Sequence, residues 1–172
     1  MTTKKKIILA VVAVAAVPVL WYGYWGLKLY IGVKKEGFLD APVKREYTGD
    51  SVANLKAIHT ALLLYQDSEG ALPDASGWMD AAWSRLQTAD MDEDEAKKKL
   101  KSDGITADDE FGYAYNEALS GKHTLDLPDS TILVFDSENL AWNASGKPAP
   151  PKTPRPNGNK AVTVAGKVID LK

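Results

Sequence analysis

The segment IILAVVAVAAVPVLWYGYWGL, residues 7–27, is 21 residues long and carries no charge, and Lys4, Lys5 and Lys6 stand directly before it. An α-helix rises about 1.5 Å per residue, so such a run matches the roughly 30 Å hydrocarbon core of a bilayer. The sequence therefore predicts an N-terminal transmembrane helix, and everything after it reads as a tethered domain. The basic start and the small residues Ala13, Ala15 and Ala16 also fit a signal peptide. The apolar run continues, however, through Val17, Val19 and Leu20 into Trp21, Tyr22, Tyr24 and Trp25. A cut after Ala15 would leave a greasy new N-terminus, so an uncleaved anchor is expected. Pro18 is expected to kink it or to be accommodated by a neighbour.

The basic residues at 4–6 predict a cytoplasmic N-terminus, although Lys28, Lys34 and Lys35 make the charge bias shallow. Trp21, Tyr22, Tyr24, Trp25 and Tyr30 gather at the C-terminal end of the run. They are the candidate interface residues. One reading is an aromatic belt at the lipid headgroups, so that the bilayer itself is a partner. The other is a contact surface for a further membrane subunit.

Outward from this run, residues 1–33 form a tip and anchor, 34–50 a connector punctuated by Gly37, Pro42 and Gly49, and 51–172 a folded domain with its own core. Lys4, Lys5, Lys6 and Lys28 belong with the anchor. The other 17 basic residues face 23 acids, a net charge of −6. Nucleic acid is not an expected partner, because phosphate binding needs a basic face. The chain has no cysteine, which removes disulfides, thiolate metal sites and cysteine nucleophiles.

Within the domain, Ser51 to Glu69 carries Val52, Leu55, Ile58, Leu62 and Tyr65 at spacings of three and four, with Leu63 and Leu64 widening the face. This predicts a buried helix, capped by Asp50 or Ser51 and ended by Gly70. A short helix is expected over Trp78–Leu86, anchored by Trp78 and Trp83. Asp90, Asp92 and Asp94 begin like a calcium loop. The required glycine is Glu95 and the twelfth position is Lys101, so the match fails. Acids first and lysines last predict instead a solvated helix, with Glu93–Lys97, Asp94–Lys98 and Glu95–Lys99 as pairs.

Phe111 to Gly121 alternates large residues and predicts an extended segment. Thr131 to Phe135 predicts a buried strand, with Asp136 and Ser137 turning off it. The proline-rich stretch 143–159 is expected to be an exposed connector. It contains a formal glycosylation acceptor, Asn143-Ala144-Ser145. Ala161–Val164, Ala165-Gly166 and Val168–Leu171 predict a terminal hairpin.

The order of these pieces resembles bacterial type IV pilin-like and type II secretion pseudopilin-like proteins. The likeness runs over residues 51–171. It is carried by Asn54-Leu55-Lys56-Ala57-Ile58 through Leu72-Pro73 and Trp78, by Tyr113-Ala114-Tyr115-Asn116 and Val134-Phe135-Asp136-Ser137, and by Asn157-Gly158 with the terminal hairpin. The resemblance implies an α+β fold: a buried helix packed on a small antiparallel sheet, forming a pilin-like domain on the periplasmic side of a bacterial inner membrane. In the family a processing-site glycine precedes the apolar run and a glutamate stands at its fifth position. Here Lys6 is followed directly by Ile7, and the run has no acid. Ala165-Gly166-Lys167 stands where the family's terminal hairpin has Asp-Gly-His. The resemblance thus implies fold and export, not filament assembly.

No catalytic, cofactor-binding or metal residues are expected. His59 and His123, the two histidines, stand in no triad or ligand motif, and Asp108 with Asp109 reads as a solvated pair. An acid-lined calcium site from Asp129, Asp136 or Glu138 is the one metal alternative. The expected function is a non-catalytic, single-span, membrane-anchored subunit in a structural or accessory role. Its partners would be the other subunits of a respiratory, photosynthetic or secretory membrane complex. The alternative is a divergent pseudopilin of a type II secretion or type IV pilus system.

Overall fold

A computed structural model describes residues 21–32, 34, 49–87 and 93–172. The chain divides into two units, Met1–Pro42 and Val43–Lys172.

In the first unit residues 21–32 are helical and form α1. This corrects the expected membrane-crossing helix: among the described residues no helix is long and apolar enough to cross a membrane. Residues 7–20 of the apolar run, Pro18 among them, lie outside the described residues, as do residues 35–48 of the connector.

The second unit begins with α2, Ser51–Glu69. The Asp50 carboxylate accepts the Ala53 N–H at 2.8 Å and caps the helix. Gly70 closes it in the left-handed conformation at φ 85°, and its N–H reaches the Gln66 carbonyl. Leu55, Ile58 and Leu62 are fully buried, as the spacing predicts, but Leu64 keeps 49% of its surface exposed and does not widen the apolar face. Helix α3, Trp78–Leu86, packs against α2. Helix α4, Glu93–Lys98, is less solvated than expected, because Ala96 and the following Leu100 are fully buried. Lys98 pairs with Glu95 one turn back, and Lys97 lies over the Trp83 ring at 5.3 Å. Asp90 and Asp92 lie outside the described residues.

Five strands follow: β1 Tyr113–Asn116, β2 Ile132–Asp136, β3 Ser145–Gly146, β4 Lys160–Thr163 and β5 Val168–Asp170. They form one sheet in the order β3-β1-β2-β4-β5. The antiparallel sheet expected from the sequence is therefore corrected to a mixed one. β1/β2, β2/β4 and β4/β5 are antiparallel, but β3 runs parallel to β1, pairing Tyr115 with Ser145. The reason is local. The Ala144 carbonyl accepts the Tyr115 N–H at 2.9 Å, which draws the start of the proline-rich stretch onto the sheet edge.

Strand periodicity sorts the side chains into two layers. Tyr113, Tyr115, Val162 and Val164 join the helices in the main core, while Ala114, Phe135, Ala144 and Ala161 form a smaller cluster. A register shift between Ile132 and Val134 lets Leu133 and Val134 both enter the main core. Trp78 is the central anchor. It is fully buried, stacks on Tyr115 with centroids 5.9 Å apart, and donates its indole N–H to the Ala144 carbonyl at 2.8 Å.

Candidate interaction surfaces

Trp21, Tyr22, Tyr24, Trp25 and Tyr30 all fall on α1, each with more than half its surface exposed. Trp21 and Trp25, one turn apart, have ring centroids at 6.3 Å, and Lys28 lies over the Tyr24 ring at 5.2 Å. At 3.6 residues per turn, Tyr22, Tyr24 and Tyr30 point away from the Trp21–Trp25 face. Leu27, Leu29 and Ile31, also exposed, fill the intervening directions. The rings thus surround the helix instead of forming one stripe.

The chemistry-bearing residues of the folded unit are engaged structurally. The imidazole Nε2 of His59 lies 2.8 Å from the Val164 carbonyl, and its ring sits beneath the β4–β5 turn at Gly166. His123 accepts the Leu125 N–H on Nδ1 at 3.2 Å and so caps a single helical turn over Thr124–Asp126. The two histidines serve different turns. Asp108 is exposed and lies 3.9 Å from Lys101.

Asp129, Asp136 and Glu138 do not converge. The Glu138 carboxylate accepts the Lys152 N–H at 2.6 Å, whereas Asp136 is fully buried. One Asp136 oxygen accepts the Ser102 hydroxyl and the other the Lys160 N–H, both at 2.5 Å. Burial pushes the Asp136 carboxyl above its ordinary range, against the two hydrogen bonds and the Arg155 charge that pull it down. Tyr115 is likewise pushed up, by burial first and by Asp74 second. Among the described residues no group of three histidines or acids has metal-binding spacing.

Asn143 is committed as well. Its Oδ1 accepts the Met79 N–H at 2.7 Å and its Nδ2 donates to Asp80 at 2.7 Å. The nitrogen that would carry a glycan is thus already bonded. This contact also supplies what α3 lacks locally, since Gly77 at its start has no side chain to cap it. Sequence reasoning missed it because the capping residue lies 64 positions away. It also missed the burial of Asp136, whose partner Ser102 is 34 positions off. A groove between α2 and β5 was missed too; it is lined by Lys56, Lys160 and Lys167, which are scattered through the sequence.

No family model, curated protein or solved structure matches the chain.

Proposed function

We propose that this chain is a non-catalytic accessory subunit of a larger membrane protein assembly, and that its α+β domain works by docking to other subunits. The observation that carries the reading is α1, where Trp21, Tyr22, Tyr24, Trp25 and Tyr30 all stand exposed. Singly exposed apolar residues are ordinary, but a contiguous group this dense marks a protein or lipid contact. The folded domain supports the same reading from the other side. His59, His123, Asp136 and Asn143 each hold a turn, a strand end or a helix start.

The test is extraction of native membranes in mild detergent, then native-gel separation and mass spectrometry of the band that holds this chain. A band with larger membrane subunits in fixed ratio is expected. A band of this chain alone at monomer size contradicts the reading. Co-migration with secretion components and a trimmed N-terminus would replace it with a divergent pseudopilin.

A further inference from the structure

α2 and the sheet edge at β5 enclose a groove of about 640 Å³, lined by Val52 and Lys56 on the helix and by Lys160, Lys167, Val168 and Asp170 on the strands. β5 ends the sheet, and among the described residues nothing pairs with its outer side. Its inner bonds are fixed: Thr163 donates to the Lys167 carbonyl and Leu171 to the Asn159 carbonyl. The alternation of an antiparallel ladder then turns the N–H and C=O groups of Val168 and Asp170 outward. An open row of this kind is a template for another strand.

The charges around it select the occupant. Lys160 is bonded to Asp170 at 2.5 Å, and its amine holds that carboxyl below the usual carboxylate range. Lys56 and Lys167 are exposed and form no ion pair among the described residues. Two unneutralised cations flank this edge, in a chain where acids outnumber bases 23 to 21. Val52 and Val168, both half-buried, give the same groove an apolar floor.

We propose that the β5 edge accepts an extended acidic segment of a partner protein as a sixth strand. Its backbone pairs with Val168 and Asp170, and its carboxylates meet the ammonium groups of Lys56 and Lys167. A second copy of this chain fits less well, because pairing two such edges brings four lysines together. The inference rests on the docking-subunit reading above and names the chemistry of one partner.

The probe is a short peptide alternating glutamate and valine, added to the full chain in mild detergent. A lysine–valine peptide of the same length is the control. Amide hydrogen exchange and fluorescence anisotropy are the readouts. The glutamate peptide is expected to slow exchange at Val168 and Asp170, and the control to leave it unchanged. The double variant Lys56→Glu/Lys167→Glu changes exposed side chains only. It is expected to keep its melting temperature and to weaken binding about tenfold at low salt. Val168→Pro, which removes an outward N–H, should abolish the protection. Three results overturn the proposal: no protection at millimolar peptide, equal protection by both peptides, or protection that rises with protein concentration alone. Any of these with an intact native assembly removes the edge site and leaves the subunit reading standing. Peptide binding without a native assembly does the reverse.

Discussion

The Ser102 hydroxyl donates to the Asp136 carboxylate at 2.5 Å, joining the loop after α4 to the end of β2 in the fully buried layer of the domain. The second Asp136 oxygen receives the Lys160 N–H, so one side chain ties the start of β4 to that loop.

This carboxyl makes the stability depend on pH in a definite direction. Its folded value is raised, chiefly by burial, while Arg155 pulls it down and Asp103 adds to the rise. Between the ordinary carboxylate range and the raised folded value, the native state thus binds more protons than the unfolded chain. Stability falls as pH climbs from the ordinary carboxylate range through the raised folded value. Asp136→Asn keeps an oxygen for Lys160 and offers Ser102 an N–H to accept. It should match the wild type at low pH and become the more stable protein as pH rises. Asp136→Ala should lose about 1–3 kcal/mol for each donor left without a partner. Urea titrations of the three proteins across pH check this; a wild-type advantage over Asp136→Asn that grows with pH would sink it.

Gly166 should not accept a side chain. It turns the β4–β5 hairpin at φ 78°, and a Cβ there would stand 2.9 Å from Cε1 of His59. Gly166→Ala should cost about 1–3 kcal/mol through left-handed strain and this clash. His59→Ala removes the clash and also the bond to the Val164 carbonyl. The double variant should therefore lose less than the two single losses together. Melting curves in a double-mutant cycle measure it, and strict additivity would refute the contact.

Asn143 caps α3 from a distance and does so at φ 57°. Asn143→Ala should lose about 0.5–2 kcal/mol for the cap, with left-handed strain added. Asn143→Gly keeps the backbone freedom but not the bond, so it should fall between the alanine variant and the wild type. Denaturant midpoints give the order, and glycine at or below alanine would contradict it.

Trp78→Phe keeps much of the stack on Tyr115 but deletes the donor to the Ala144 carbonyl, which still receives the Tyr115 N–H. A loss of about 1 kcal/mol is expected, against about 3–5 for Trp78→Ala. Thermal unfolding separates the two, and equal losses would mean that the indole N–H, not the ring, carries the contribution.

What could be read in the sequence was what depends on neighbours. The bounds of α2 and α3, the Asp50 and Gly70 caps and the terminal hairpin all follow from periodicity and short-range punctuation. Distant partners decided the rest. β3 is two residues, Ser145 and Gly146, with no strand pattern of its own; it exists because Tyr115 and Trp78 both bond to the Ala144 carbonyl. Asp136 read as a residue turning off the strand because nothing near it in sequence foretells Ser102. Leu100 and Ala96 were hidden among charges, so α4 read as more solvated than it is. The aromatic residues of α1 were visible at once, but their spread around the helix is a matter of helical geometry, not of composition.

The most direct test of the docking role is native-gel mass spectrometry of mild detergent extracts, comparing wild type with Trp21→Ser/Trp25→Ser. These two rings are exposed, and the folded unit from Val43 to Lys172 contains neither of them. The wild type should run in a large band with membrane subunits in fixed ratio. The variant should run free while its domain melts at an unchanged temperature. A wild-type chain that migrates alone, or a variant that stays in the large band, would contradict the account.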